Sequence, residues 1–290
     1  MKKTLSLLFV FTLLACGGSD DDTENEVVET IFFENGICKC PNASVNDTAV
    51  INGITYIVVD NSTITSQLPN NVNLCTTLVT EMNYLFRDNA SFNSDISHWD
   101  TSNVTSMAGL FLGATSFNMN INSWDVSSVN TMGGMFTGAE SFNKPLNNWD
   151  VSNNTNMFQM FSGAISFNQN INSWDVSSVR NMESAFGSGL GGGLGSSSFN
   201  QPLNNWNLGN VRNTRYMFKD ATSFNQDISN WDVSSVSDMA LMFYGALSFN
   251  QDLSNWSVEN VTNCGGFYLE DVNVNWTLPK PNFNCPYVLN

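Results

Sequence analysis

The segment INSWDVSSVNTMGGMFTGAESFN, residues 121–143, recurs in altered form along most of this 290-residue chain. Its tryptophan returns every 25 residues, with one longer step, at Trp99, Trp124, Trp149, Trp174, Trp206, Trp231 and Trp256. A fixed period in this range is typical of repeat architectures, in which each unit buries its apolar side only against its neighbours. Such an architecture presents an extended surface, which favours a binding function over catalysis.

Within one unit the apolar residues indicate a strand followed by a helix. Trp124 and Val126 flank a polar residue, which is the alternation of a short half-buried strand. The next apolar positions fall at steps of three, four and three, the spacing of one helical face. These positions are Val129, Met132, Phe136 and Ala139. The sequence therefore predicts an α/β fold, a leucine-rich-repeat-like solenoid of about eight 25-residue strand–helix coils with a cap at each end.

The composition along the chain divides it into five predicted regions. Ala49 to Asp60, with the turn residues Asn52 and Gly53, predicts a hairpin in the first cap, and Asp60 or Ser62 is expected to cap a brief helix after it. We expect a signal peptide at 1–15, an acidic disordered tether at 16–30, an N-terminal cap at 31–69, the repeat solenoid at 70–263 and a C-terminal cap at 264–290. A Gly-rich insertion near 187–198 interrupts the repeat and is expected to be a tolerated flexible segment.

The N-terminus predicts export and lipid anchoring. Lys2 and Lys3 precede the apolar stretch Leu5 to Leu14, which is too short to span a membrane as a mature helix. The residues from Leu13 to Cys16 resemble the lipobox of bacterial lipoproteins, which implies cleavage before Cys16 and acylation of its thiol. The acidic run after Ser19 resembles the signal that sends Bacteroidetes lipoproteins to the outer face of the outer membrane. The expected location is therefore the cell surface, with the lipid anchor as the only membrane contact.

The cysteines predict two disulfides and a fifth cysteine that stays unpaired or joins another chain. With Cys16 assigned to lipid, five cysteines remain in a chain addressed to an oxidising compartment. Either Cys40 or Cys38 is expected to pair with Cys75, and Cys264 with Cys285, so that each bond closes one end of the repeats. No metal is expected, because neither His98 nor the pair Cys38 and Cys40 is followed by further residues with ligand spacing.

Two polar rows accompany the repeat. One is a row of asparagines after the recurring phenylalanine, expected to pair with one another and with turn backbone groups. It comprises Asn93, Asn118, Asn143, Asn168, Asn200, Asn225 and Asn250. The other is an acidic strip beside the tryptophans: Asp100, Asp125, Asp150, Asp175 and Asp232. Its aspartates either accept hydrogen bonds from the following residues in Asx-turns or bind a ligand or a cation such as calcium, and Asn207 and Ser257 in the same row favour the turns.

The charge and the motifs exclude several classes of function. The formal net charge is −16 and only 12% of residues are charged, whereas nucleic-acid binding requires clustered Lys and Arg. No serine or cysteine with a histidine partner and no isolated carboxylate pair indicates an active site. The sequence predicts neither an enzyme nor a cofactor.

The repeat resembles a known family. The pattern Met-x-x-Met-Phe-x-Gly-Ala-x-Ser-Phe-Asn-Gln-x-Leu-x-x-Trp-Asp-Val-Ser-x-Val, clearest at Met157 to Val179 and Met239 to Val261, closely resembles BspA-like leucine-rich-repeat surface proteins. The resemblance covers about two thirds of the chain and implies a bacterial surface protein with a role in adhesion. The expected function is a lipid-anchored binding protein that recognises a surface protein or a glycan, and the alternative is a structural surface-layer or spacer protein without a specific ligand.

Overall fold

A computed structural model describes residues 29–68, 71–188, 195 and 198–285. The predicted signal peptide, the lipidation site Cys16 and nearly all of the acidic tether lie outside the described residues. Most of the Gly-rich insertion lies outside them as well.

The first described block is built from two small sheets. Strands β1 (Phe32–Glu34) and β2 (Ile37–Lys39) form an antiparallel hairpin. Strands β3 (Thr48–Ile51), β4 (Ile54–Asp60) and β5 (Leu74–Leu78) form a second sheet in the order β3-β4-β5. The β3–β4 pair is antiparallel and β4–β5 is parallel.

The hairpin predicted between Ala49 and Asp60 is confirmed. Asn52 and Gly53 connect its strands with φ values of 53° and 82°, and left-handed conformation at both central residues matches the twist of paired strands. The brief helix is also present as α1 (Ile64–Gln67), but its N-cap is Thr63 instead of Asp60 or Ser62. Asp60 accepts hydrogen bonds from the backbone N–H groups of Ser62 and Thr63 and so forms the turn before the helix.

After β5, successive repeat segments lie side by side and are joined by isolated parallel bridges. Each bridge links equivalent positions of two neighbouring segments, and backbone hydrogen bonds extend the pairing on both sides. The bridges follow one another along the column Glu81, Ser106, Thr131, Asn156, Asn181, Asn213, Asp238 and Asn263. Because every segment bonds only to its neighbours, the sequence period becomes a spatial period.

The predicted leucine-rich-repeat solenoid of strand–helix coils is wrong. In the described part of the chain α1 is the only α-helix, and the described repeat segments after β5 contain no helix and pair through single-residue bridges instead of strands. Residues around Trp124 and Val126, expected to form a strand, lie in and between turns. The apolar positions that suggested a helical face begin or end consecutive turns, in which an N–H group donates to the carbonyl three residues earlier, as from Val129 to Val126 and from Ala139 to Phe136.

Backbone hydrogen bonding explains why no helix forms. The N–H groups of Gly134, Phe136 and Gly138 donate to carbonyl oxygens of the next segment at 2.6, 2.9 and 2.7 Å. An α-helix would need those donors for bonds to the residue four positions earlier. Gly134 and Gly138 also have φ values of 68° and 67°, which lie outside the helical region.

Stacked aromatic rings form the core of the repeats. Trp99 stacks on Trp124 with ring centroids 6.4 Å apart, and Phe117 stacks on Phe142 at 5.7 Å. Each indole N–H donates to a buried backbone carbonyl, as Trp124 does to Ile96 at 3.1 Å. The recurring Trp and Phe thus occupy one continuous core, and the polar rows lie outside it.

Both ends of the stack are covered. At the first end, Cys38 donates its backbone N–H to the His98 carbonyl at 2.8 Å, which joins the β1–β2 hairpin to the first repeat segment. At the other end, the Asn273 amide donates to the carbonyls of Phe243 and Ala246, and Trp276 packs edge-on against Phe249. These contacts bury apolar surface that the terminal segments would otherwise expose.

Candidate functional site

The acidic strip proposed from the sequence is not uniform. Asp100 is buried and accepts hydrogen bonds from the Lys39 ammonium at 2.8 Å and the Thr77 hydroxyl at 2.7 Å. Burial disfavours its charge, but the hydrogen bonds from Lys39, Thr77 and Ser102 outweigh it and lower the pKa of this carboxyl. Asp100 therefore joins the N-terminal block to the repeats and is not part of an outer surface.

The other four aspartates of the strip are exposed and form Asx-turns. In each, Oδ1 accepts the backbone N–H of the residue two positions later at 3.0 Å. Asn207 makes the same bond to Gly209 at 3.0 Å, so the turn requires an acceptor oxygen but no charge. The four aspartates are Asp125, Asp150, Asp175 and Asp232. Within the ranges that the structure describes, no group of three or more His, Cys, Asp or Glu side chains is placed to hold a metal ion.

The asparagine row forms the expected ladder. The backbone N–H of Asn143 donates to Oδ1 of Asn118 at 3.0 Å, and the same bond repeats from Asn118 to Asn250 at 2.8–3.0 Å. Glutamine side chains add a second donor to several rungs, as Gln251 does to Asn225 at 2.8 Å. Each rung thus satisfies a turn N–H group of the next segment.

Beside this ladder lies a groove of about 510 Å³ that sequence reasoning missed. Its lining side chains carry no formal charge: Pro145, Asn147, Gln169, Asn170, Asn172, Ser173 and Asn205. Hydrogen bonds between segments hold the amides in place. Asn172 donates to Asn204 at 3.0 Å and accepts the N–H of Asn205 at 3.0 Å. The available signal was the recurrence of asparagine at 122, 147, 172 and 204.

The cysteines pair at the two ends of the stack. Cys40 is bonded to Cys75, with 6.3 Å between their Cα atoms, and Cys264 to Cys285, with 6.1 Å. Cys38 is unpaired and fully buried. Burial, and to a smaller extent the charge of Asp100, raises the pKa of its thiol to about 12. A neutral, buried thiol is a poor nucleophile, which argues against cross-linking between chains through Cys38.

His98, the only histidine, lies in a contact between aromatic rings. Its ring is 5.6 Å from that of Tyr56 in an edge-to-face arrangement and 6.4 Å from that of Phe33. Burial lowers its pKa, against the smaller opposing effects of the charge on Asp95 and a backbone hydrogen bond with Val72. His98 thereby connects the β1–β2 hairpin to the first repeat segment.

Comparison with known proteins gives one family match. The model of the family described as "Mycoplasma protein of unknown function, DUF285" matches residues 59–161, 80–190 and 194–279. No curated protein and no solved structure matches the chain. Across the described residues, no helix has the length and apolar character needed to cross a membrane.

Proposed function

We propose a glycan-binding function for this chain, which belongs to the family described as Mycoplasma protein of unknown function, DUF285. The observation that carries the proposal is the amide-lined groove between Pro145 and Asn205. Its volume of about 510 Å³ lies within the range of small-molecule sites, roughly 300–1,000 Å³. A few linked sugar units are ligands of suitable size.

The chemistry of the groove favours a neutral polar ligand. Asparagine and glutamine side chains each offer an acceptor oxygen and a donor NH2 group, which complement sugar hydroxyls that both donate and accept. The groove is lined by no charged side chain, so an ionic ligand gains less there. Because hydrogen bonds already hold these amides in place, less side-chain entropy is lost when a ligand binds.

A position on the cell surface is part of the proposal. It is supported by the basic start at Lys2 and Lys3, the Leu13–Cys16 motif and the acidic residues that follow. We expect Cys16→Ser to abolish lipid labelling of the chain and to release it from the membrane fraction. Retention of labelled protein in the membrane fraction after this change would contradict lipid anchoring at Cys16.

A matched pair of variants tests the groove. The full chain is screened against neutral glycans, and the best ligand is titrated against Asn147→Ala/Gln169→Ala and against Gln226→Ala/Ser229→Ala. Gln226 makes the same kind of ladder bond to Asn200 that Gln169 makes to Asn143, so loss of that bond is matched. We expect the groove variant to bind about tenfold more weakly or worse and the control to bind normally.

Two results would overturn the groove assignment. One is a screen without any saturable neutral glycan. The other is equal loss of binding in both variants, which would attribute the effect to the ladder and not to the groove.

A further inference from the structure

The basic residues of this acidic chain are concentrated in two neighbouring repeat segments. Residues 180–219 carry Arg180, Arg212, Arg215 and Lys219 but only one carboxylate, Glu183, although the whole chain has a net charge of −16. Lys219 is neutralised by Asp220 at 2.8 Å. The remaining three residues are called the arginine strip: Arg180, Arg212 and Arg215.

Arg180 and Arg212 occupy adjacent rungs of one column. The backbone N–H of Arg212 donates to the carbonyl of Arg180 at 2.9 Å. Both residues are exposed. Backbones paired in this way lie about 4.8 Å apart, and like charges on directly opposite rungs repel. The Arg212 guanidinium donates to the Ser235 carbonyl at 3.3 Å, which leaves its charge uncompensated. An anion bound beside Arg180 and Arg212 would relieve that repulsion.

Arg215 lies three residues after Arg212 and is held in place by an aromatic side chain. Its guanidinium carbon lies 4.6 Å from the centre of the Tyr216 ring, and one NH2 group donates to the Tyr216 hydroxyl at 2.8 Å. Its Nε is buried and makes no hydrogen bond to any described residue. Glu183 is nearby but accepts from the Asn213 amide at 2.9 Å instead.

No carboxylate neutralises the strip within the described residues, where the ion pairs are Lys39–Asp100, Arg87–Asp88 and Lys219–Asp220. We propose that the arginine strip binds a glycan that carries carboxylate or sulfate groups. Guanidinium groups form paired hydrogen bonds with the oxygens of such anions. Acidic residues elsewhere on the chain repel a bound anion only weakly, because salt screens charges beyond about 8 Å at physiological ionic strength. The charges close to the strip therefore determine whether an anion binds.

The surroundings of the strip favour a glycan over an acidic peptide. The rungs beside Arg180 and Arg212 in the same column are Thr155 and Ser237. Their exposed hydroxyls donate to backbone carbonyls of the column at 3.1 Å and can still accept hydrogen bonds from sugar hydroxyls. The backbone groups of this column are already used between segments, from Asn130 through Thr262. A peptide therefore finds no free edge on which to add a strand.

The test compares four probes and two charge-matched variants of the full chain. The probes are heparin oligosaccharides, which carry sulfate and carboxylate groups, alginate oligosaccharides, which carry carboxylate groups alone, dextran as a neutral glycan and poly-glutamate as an acidic peptide. Arg180→Thr/Arg212→Ser introduces the residue types of the adjacent rungs, and Arg87→Ser/Lys144→Ser removes the same charge elsewhere. Arg215→Ala is a third variant, which should also weaken binding of the anionic glycan; Ala240 occupies the equivalent position in the next segment.

We expect saturable binding of heparin or alginate, weakened about tenfold or more by Arg180→Thr/Arg212→Ser but not by the control variant. Binding should also weaken between about 0.05 M and about 0.15 M salt. The groove variant Asn147→Ala/Gln169→Ala should bind the anionic probe normally, so this inference and the groove assignment fail independently. Equal binding by the strip variant and the control, preference for poly-glutamate, or no binding of either anionic glycan would overturn the proposal.

Discussion

Asn154 occupies a position that valine holds in the neighbouring segments, Val129 and Val179. All three side chains are fully buried, and the Asn154 amide nitrogen has no hydrogen-bond partner among the described residues. Burying an unsatisfied polar group costs about 1–3 kcal/mol. Oδ1 of Asn154 offsets part of that cost by accepting the N–H of Asn156 at 2.8 Å. We expect Asn154→Val to raise the free energy of unfolding by about 1 kcal/mol, measured by urea denaturation.

The matched control for that substitution is Val129→Asn. It places an amide in the same environment one segment earlier, where no equivalent bond is present in the native chain, and should lower the free energy of unfolding by about 1–3 kcal/mol. A destabilised Asn154→Val variant would show that the bond to Asn156 outweighs the unpaired nitrogen.

The asparagine ladder is an element whose rungs can be tested one at a time. Oδ1 of Asn225 accepts the Asn250 backbone N–H at 2.8 Å and the Gln251 amide at 2.8 Å. Asn225→Ala removes both bonds and should cost about 1–2 kcal/mol in the free energy of unfolding. Asn225→Asp retains an acceptor oxygen and should cost less. Equal losses in the two variants would mean that the ladder does not act through its acceptor.

The repeat segment shows how far the sequence could predict an element. The period, the buried positions and the asparagine ladder follow from side-chain identity and spacing, and all three are present in the structure. The helix predicted for each segment was wrong because consecutive tight turns bury residues at steps of three and four, as a helix does. The residues equivalent to Gly134 in two other segments are Gln159 and Leu241, and their left-handed φ values of 52° and 56° exclude a helix there. Glutamine and leucine rarely adopt that conformation, so the sequence gives no indication of it.

The candidate sites also differ in how much of each could be predicted from the sequence. The acidic strip could be predicted because aspartate recurs beside tryptophan. The different environment of Asp100 could not, because its partner Lys39 is 61 residues away in the sequence. The groove combines side chains of three consecutive segments, so no single stretch of sequence contains it. The arginine strip needs the register between Arg180 and Arg212, which the longer step of 32 residues conceals.

At the scale of the whole molecule, the repeated Asx-turns couple stability to pH. Serine hydroxyls and backbone N–H groups lower the pKa of Asp150, Asp175 and Asp232 below the ordinary value of 3.8. A carboxyl with a lowered pKa in the folded state stabilises the fold above its unfolded pKa, and that contribution is lost as the pH falls through the folded pKa. The contribution should therefore be complete above about pH 5 and decline below about pH 4.

The variant Asp150→Asn/Asp175→Asn/Asp232→Asn isolates this contribution, because Asn207 already makes the same turn with an uncharged acceptor. Protonation also changes the repulsion within a chain of net charge −16 and an isoelectric point of about 4.1, and both proteins share most of that effect. The difference between the two urea midpoints cancels the shared part. We expect the variant to be less stable than the native chain at about pH 6 and the difference to shrink steadily toward about pH 3. Parallel midpoints over that range would mean that the turn aspartates do not gain stability from their charge.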